Sequence, residues 1–203
     1  MCAIMDPYAI DKATVRLNTA KAAWQDLESC TSFERFEGLW HTFLVSSNGV
    51  YTILEKGAKA LPRSRQWFGG KKNERRRDQL LQYLAQARDD DEHGLGRVIE
   101  QDRSVVKFLV DLPQYKGPLQ VRATCNPGEA GEIDITSVGG KIIPSEHKFP
   151  YVRLIRVHDR GGKPYDPPNE HLGVVIAGGD QPDTVARLAI SYLIGLVADA
   201  SKL

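Results

Sequence analysis

The spacing of apolar residues divides the chain into a helical first half and a β-rich second half. Apolar residues recur at helical spacing in residues 8–29, which predicts a first amphipathic helix. A second, longer helix is predicted to begin after an N-cap at Thr31 or Ser32, since a hydroxyl side chain can accept a hydrogen bond from a free backbone N–H group. Pro62 is predicted to end that helix, because proline removes a backbone hydrogen bond and clashes with the preceding turn.

A third helix is predicted at residues 73–90, after a linker rich in arginine and glycine at residues 63–72. Gly94 is expected to stop this helix or the turn that follows it. The apolar positions that this helix should bury are Leu80, Leu81, Leu84 and Ala87.

Near residue 100 the apolar period changes from helical to two. A further apolar segment at residues 182–200 predicts a closing helix. The predicted fold class is α+β, with an N-terminal helical bundle in a domain of residues 1–100, and an antiparallel β-sheet in residues 101–203 whose C-terminal helix packs back. The strands are predicted from β-branched, alternating segments between Pro and Gly, at residues 104–112, 119–125, 132–138, 151–157 and 172–177.

Composition excludes only a few classes of function. The 203 residues are 41% hydrophobic and 26% charged with a net charge of +1, so any contact with nucleic acid has to be local. Cys2, Cys30 and Cys125 fit neither a disulfide framework nor a zinc site. The loop at residues 158–171 holds two histidines and several acids but fits no known ligand spacing, and we expect no metal and no cofactor. With neither a leader pattern nor a membrane-length apolar segment in the sequence, the expectation is a cytoplasmic protein that does not contact a membrane.

The end of the predicted third helix carries charge of the wrong sign for the helix dipole. Residues 89–92 are four consecutive acids, placed between Arg88 and His93. Each exposed acid at a helix C-terminus is unfavourable by a few tenths to about 1 kcal/mol. An arrangement that costs stability raises the question of whether the arginine and the histidine serve a reaction.

An arginine, then four to six residues, then a histidine, with a polar residue directly after the arginine, resembles the signature of the HEPN superfamily. Arg88, Asp89 and His93 match this signature. The stretch from about residue 32 to residue 94 is also similar to the two core helices of bacterial HEPN-like proteins and their connecting segment. The resemblance covers about a third of the chain and implies a small helical domain.

The resemblance implies a metal-independent endoribonuclease. RNA supplies its own nucleophile, the 2′-hydroxyl, so His93 would act as base or acid while Arg88 grips the phosphate and Asp89 orients either group. The products would be a 2′,3′-cyclic phosphate and a 5′-hydroxyl. In the family the sites of two subunits line one cleft, which implies a homodimer, with RNA and an antitoxin-like protein as partners in a toxin–antitoxin pair.

Two other interpretations of the same residues stay open. His93 and Gly94 can be a plain C-terminal capping pair, and the acidic run repels the phosphates that Arg88 should attract. The second hypothesis is therefore a non-catalytic, dimeric HEPN-like module that binds a nucleotide, RNA or a protein. The arginine–histidine spacing also occurs at residues 35–41 and 153–158, but there an apolar residue follows the arginine.

The segment between Arg63 and Arg77, which includes the start of the predicted third helix, is strongly basic and carries two aromatic residues. Trp67 and Phe68 lie among basic residues. Cationic side chains can bind the phosphates of RNA, and aromatic rings can stack on its bases. The alternative is a solvated linker whose two aromatic residues fold into the core. The residues predicted to bind RNA are Lys71, Lys72, Arg75, Arg76 and Arg77.

These charges also predict a mode of assembly. A helix at residues 73–90 that is basic at its start and acidic at its end would be about 27 Å long, far beyond the Debye length, so its ends could not relieve each other. A second copy running antiparallel would bring opposite charges together twice. The sequence therefore predicts a homodimer through this helix.

Overall fold

The computed structural model describes residues 5–30, 32–94, 96–102, 108–109, 119–124, 132–137, 145–146 and 151–203. The side chains of His93 and of residues 102–151 lie outside this description. The described part of the chain contains five helices and short antiparallel strands, so the fold is α+β.

Two long antiparallel helices, α1 (Pro7–Glu28) and α2 (Phe33–Ala58), form the base of the bundle. Each begins at a residue whose side chain caps it, because Asp6 accepts a hydrogen bond from a backbone N–H at 3.0 Å and Ser32 does so at 3.3 Å. Ser32 is therefore the N-cap of α2, and Thr31 lies outside the described residues. The predicted apolar face of α2 is buried around Trp40 and Phe43, whose rings stack at 5.0 Å.

The predicted linker at residues 63–72 is wrong, because these residues belong to a helix, α3 (Pro62–Arg77). Pro62 does not merely end α2 but occupies the first turn of α3, where its missing N–H costs nothing. Tertiary contacts hold this helix in place despite its glycine pair. The buried Ser64 hydroxyl donates to the carbonyl oxygen of Ala58 at 2.8 Å, and the Phe68 ring packs edge-on to Tyr51 at 5.7 Å.

The predicted single helix at residues 73–90 is also wrong, because the chain breaks at Asp78. Asp78 adopts an extended conformation that ends α3 and starts α4 (Gln79–His93). Its carboxylate accepts the backbone N–H of Leu81 at 2.8 Å, as an N-cap does. Arg75, Arg76 and Arg77 therefore lie in the last turn of α3, where positive charge is favourable. The predicted apolar face of α4 is buried at Leu80, Leu81, Leu84 and Ala87.

The second half of the chain contains short strands that form antiparallel pairs. The five pairs in the described ranges are separate two-stranded ladders, so the one continuous sheet predicted from the sequence is absent there. The strands are β1 (Ile99–Asp102), β2 (Phe108–Leu109), β3 (Leu119–Thr124), β4 (Glu132–Ser137), β5 (Ser145–Glu146), β6 (Tyr151–Leu154), β7 (Val157–His158), β8 (Pro164–Tyr165), β9 (Glu170–His171) and β10 (Val174–Val175). The pairs are β1 with β6, β2 with β5, β3 with β4, β7 with β8 and β9 with β10.

The last helix, α5 (Pro182–Ser201), packs against α1 and α2. The indole N–H of Trp24 donates to Asp183 at 2.7 Å and ties α1 to the start of α5. One hydrophobic core includes side chains of all five helices and continues into β1, β6 and β7 through Ile99, Leu154 and Val157. The division into domains at residue 100 stays a prediction.

By length and composition, α5 is the one helix in the described ranges that could cross a membrane. Half of its most apolar window is buried against the rest of the protein. Core helices pass the same test, so a single helix of this kind is weak evidence for a membrane span.

The close approach of α1 and α2 rests on Gly57. A Cβ added there would lie 2.3 Å from the Cβ of Ala9, a distance that forces the helices apart. We expect Gly57→Ala to lower the free energy of unfolding by about 1–2 kcal/mol through overpacking. Gly38→Ala in the same helix is the control, because nothing lies within 4 Å of its added Cβ and the change should stabilise by up to about 1 kcal/mol. Urea denaturation measures both, and equal effects would contradict this account of Gly57.

Candidate functional site

The C-terminal end of α4 gathers the charged residues that the sequence singles out. The Arg88 guanidinium is held by two carboxylates, with Asp89 at 3.2 Å and Glu92 one turn further along the helix. The Nε atom of Arg88 is buried and has no hydrogen-bond partner among the described residues. Arg88 is thus fixed in orientation, and its charge is balanced within the helix.

If Arg88 and His93 act on one phosphate, their functional heads should lie about 6–8 Å apart, which from the sequence predicts a bend in the chain between them. That bend is absent, because α4 continues as a helix to His93 and places the two Cα atoms about 140° apart around its axis. The His93 side chain lies outside the described residues, so the separation itself stays a prediction. The N–H of Gly94 donates to the carbonyl oxygen of Asp90 at 2.6 Å, which closes the helix as the capping interpretation expects.

A different histidine contacts the face of α4 that carries Arg88. The Nδ1 atom of His41, on α2, is 2.5 Å from a carboxylate oxygen of Asp91, on α4. Asp91 follows Arg88 by three residues and therefore shares its helix face. The His41 side chain is 49% exposed and the Asp91 side chain 18%, so the imidazole can meet a ligand while its partner is held. The structure thus places His41 and its partner Asp91 on the face of α4 that carries Arg88.

Sequence reasoning missed His41 as a functional residue. The arginine–histidine spacing at residues 35–41 forms no site by itself, because the two residues lie on different faces of α2. The partner that gives His41 its place is Asp91, 50 residues further along the chain. The one signal in the sequence is the acidic run itself. It has more carboxylates than Arg88 can pair, which indicates a further partner that is cationic or donates hydrogen bonds.

The other acids of this run also find partners within the same chain. Asp89 lies 3.3 Å from Arg160, and Asp90 accepts the backbone N–H of His158 at 3.1 Å. The predicted need for a second copy to relieve the charge is therefore wrong, both because the acids are paired and because the basic residues end a separate helix. The homodimer itself stays a prediction without that argument.

Arg75 is not the surface cation that the sequence predicts. Its guanidinium donates to Asn48 at 2.7 Å and lies over the Tyr51 ring at 4.5 Å. Burial lowers the pKa of Arg75, and the positive charge of Arg88 lowers it further. Arg75 and Arg88 are thus near enough to repel each other.

The other predicted RNA contacts differ in their availability. Lys72 pairs with Glu55 at 2.5 Å and Lys71 with Glu74 at 3.4 Å. Arg76 and Arg77 are exposed. Of the five predicted residues, these two arginines are therefore the ones placed to contact a phosphate without first leaving a described partner.

No group of three metal-ligating side chains occurs within the described ranges. Comparison with known proteins gives no further guide: no protein-family model, no curated protein and no solved structure matches the chain. Any assignment of function therefore rests on the residues and their geometry.

Proposed function

We propose that this protein is a metal-independent endoribonuclease with a HEPN-like helical domain. The observation that carries the proposal is the His41–Asp91 pair, on the same face of α4 as Arg88. The packing of α2 against α4, with α3 between them in the chain, supports the HEPN-like part, since these are the two core helices that the resemblance expects.

The proposed reaction uses the RNA's own 2′-hydroxyl. His41 takes the proton of that hydroxyl, the 2′-oxygen attacks the adjacent phosphorus, and the bond to the 5′-oxygen breaks. Asp91 accepts a hydrogen bond from Nδ1 of His41, which leaves Nε2 free to receive the proton. A protonated group has to return a proton to the departing 5′-oxygen. The family resemblance implies His93 as this donor, although its position in α4 lies about 140° from Arg88 around the helix axis. The products are a 2′,3′-cyclic phosphate and a 5′-hydroxyl.

Arg88 is the proposed phosphate ligand. A guanidinium offers donors in a planar fork that matches two phosphate oxygens. Asp89 and Glu92 hold it in one orientation, so it is preorganised when the substrate arrives. The phosphate has to replace one of these carboxylates on the guanidinium, and the exposed Arg76 and Arg77 supply further attraction along the RNA backbone.

A homodimer, an antitoxin-like protein partner and a cytoplasmic location belong to the same proposal. They rest on the family resemblance and the sequence pattern. Reversing the charge of Arg75 would not test a dimer, because this residue packs against Tyr51 and bonds to Asn48, and its replacement would damage the monomer. Sedimentation of the unaltered protein is the direct measurement of its oligomeric state.

A second candidate function is a non-catalytic, dimeric HEPN-like module that binds a nucleotide, RNA or a protein. The observation in its favour is that the charge of Arg88 is already balanced by Asp89 and Glu92. Such a module would bind its partner and leave RNA intact.

Incubation of the purified protein with RNA in EDTA separates the two functions. We expect cleavage to cyclic-phosphate ends, and we expect Arg88→Ala to lower its rate by about 10²-fold through loss of charge stabilisation. Arg88→Lys should recover only part of the rate, because lysine lacks the planar fork. Arg35→Ala, an exposed arginine on α2, is the control and should cleave normally. Intact RNA under all these conditions favours the binding module.

A further inference from the structure

A second histidine–aspartate pair lies away from the Arg88 end of α4. Asp78, at the break between α3 and α4, accepts a hydrogen bond from Nδ1 of His171, whose distances to the two carboxylate oxygens are 3.0 and 3.1 Å. The side chains are 4% and 11% exposed. The carboxylate also accepts the backbone N–H groups of Leu81 at 2.8 Å and Leu172 at 2.7 Å. One buried carboxylate thus fixes both the helix start and the histidine.

The backbone is strained at this pair. Leu172 has a φ of 50°, the only positive φ at a residue other than glycine in the described ranges. A left-handed conformation costs a residue with a Cβ roughly 1–2 kcal/mol and concentrates at functional sites. Here it turns the N–H of Leu172 onto the same carboxylate that holds His171. The strain therefore serves to present the imidazole.

The imidazole keeps one nitrogen for a ligand. Because a carboxylate only accepts hydrogen bonds, Nδ1 of His171 carries a proton toward Asp78. Within the described part of the chain, Nε2 makes no hydrogen bond, and His171 lines a cleft. Nε2 can accept a hydrogen bond from a hydroxyl when the ring is neutral and donate one to an anion when it is protonated.

That cleft has a volume of about 650 Å³ and lies between α5 and the β9–β10 hairpin. Its wall on the hairpin side is apolar and includes the exposed side chains of Val174 and Val175. The ring of Tyr192 contributes on the α5 side and meets His171 edge-on at 5.8 Å. A cleft of this size, with an apolar wall and polar groups that can orient a ligand, is typical of a small-molecule site.

The charged groups of the cleft include both acids and cations. Lys71 pairs with Glu74 at 3.4 Å, and Asp199 lies 3.7 Å from Lys202. Arg187 also lines the cleft, is exposed, and makes no ion pair within the described residues, so it favours an anion with an attached ring.

The ring of Tyr192 is held by a hydrogen-bond network. Glu74 accepts the Tyr192 hydroxyl at 2.6 Å, and the Tyr192 hydroxyl lies 2.9 Å from the hydroxyl of Tyr51. This network fixes the aromatic side of the cleft.

We propose that this cleft binds a nucleoside monophosphate. The base lies against the apolar hairpin wall and Tyr192, and the phosphate lies toward Arg187. His171 contacts the ribose hydroxyls or the phosphate through Nε2. The site is separate from the proposed ribonuclease residues, with Lys71 as the one residue that belongs also to the predicted RNA-binding segment.

Calorimetric titration of the full chain with AMP, GMP, CMP and UMP tests this site, with adenosine and inorganic phosphate as separate arms. We expect at least one monophosphate to bind about tenfold or more tightly than adenosine. Arg187→Ala should weaken it about tenfold or more. Arg63→Ala, an exposed arginine on α3, is the matched control and should bind normally.

His171→Asn tests the imidazole, because asparagine can still donate to Asp78 but lacks Nε2. We expect this variant to keep its thermal midpoint and to bind the monophosphate about tenfold more weakly. If His171→Asn fails to fold, the binding affinity of the Arg187→Ala variant alone tests whether the monophosphate binds in this cleft. Equal binding of adenosine, no effect of Arg187→Ala, or no binding at millimolar monophosphate would each overturn the proposal. These outcomes are independent of RNA cleavage and so distinguish a failure here from a failure of the ribonuclease.

Discussion

Replacing His41 with alanine should lower the rate of RNA cleavage by about 10³-fold, within the range of about 10² to 10⁴ that a positioned general base supplies. The expected loss follows from the exposure of His41 and its contact with Asp91 at 2.5 Å, on the helix face that carries Arg88. Loss of the base should also remove one limb of a bell-shaped dependence of the rate on pH. A merely structural role for His41 would lower the amount of folded protein and leave the shape of that profile unchanged.

His158→Ala is the matched control for His41→Ala. His158 is exposed, and only its backbone N–H contacts Asp90, so the substitution keeps that hydrogen bond. We expect this variant to cleave RNA at the normal rate. Equal losses in the two variants would contradict the assignment of His41 as the base. His93→Ala should lower the rate as well, and an unchanged rate there would assign the proton donor to another group.

The second large effect concerns stability. We expect Asp78→Ala to lower the free energy of unfolding by about 3 kcal/mol. Loss of an N-cap costs about 1 kcal/mol, and the buried donors of Leu172 and His171 lose a charged acceptor, which costs about 1–3 kcal/mol more. Urea denaturation measures the change. Asp6→Ala removes the N-cap of α1, where the carboxylate is exposed and accepts a single N–H, and should cost only about 1 kcal/mol.

The same carboxylate should make the protein sensitive to acid. Burial alone would raise the pKa of Asp78, but the hydrogen bonds from His171, Leu172 and Leu81 outweigh it and hold the pKa below the ordinary value of 3.8. Its stabilisation is therefore fully present above that value and is lost as the pH falls through the lower pKa of the folded state. Below about pH 4, the free energy of unfolding should fall more steeply with pH in the wild type than in Asp78→Asn.

If Asp78→Asn and the wild type lose stability in parallel below that pH, other carboxylates carry the acid sensitivity. Asparagine is also a good N-cap, so this variant retains the start of α4 and isolates the charge. The comparison is made at fixed ionic strength, because the exposed ion pairs at the end of α4 are screened by salt.

The helices that bury a regular apolar face could be predicted from the sequence. Trp40, Phe43 and Leu54 recur on one face of α2, and all three are fully buried. The chain segments near Pro62 and Asp78 could not be predicted as easily. The sequence predicts a helix end at Pro62, although proline is equally common in the first turn of a helix. Asp78 is a residue type that favours N-caps, but the helical spacing on both sides of it predicts one uninterrupted helix.

The glycine pair at residues 69–70 shows why α3 was missed. Glycine disfavours a helix by roughly 1 kcal/mol per residue, so the pair favours a linker on local grounds. The burial of Phe68 against Tyr51 and of Ser64 against the end of α2 overrides that preference. Such contacts depend on the assembled core, and no spacing within residues 63–72 contains them.

The candidate sites could be predicted only in part, for the same reason. The Arg88 end of α4 was visible as a local motif, whereas each histidine that the structure pairs with an aspartate comes from far along the chain. His41 lies 50 residues from Asp91, and His171 lies 93 residues from Asp78. Single-sequence spacing carries no information on pairs so distant, and only the fold brings them together.

The most direct test of the ribonuclease is the requirement for the 2′-hydroxyl in the absence of metal. One oligonucleotide sequence is prepared as RNA and as its 2′-O-methyl form, and each is incubated with the protein in EDTA. We expect the RNA to be cut to 2′,3′-cyclic phosphate and 5′-hydroxyl ends while the 2′-O-methyl form stays intact, because methylation removes the nucleophile's proton. Cleavage of both forms, or cleavage of RNA only when a divalent cation is added, would contradict the proposal.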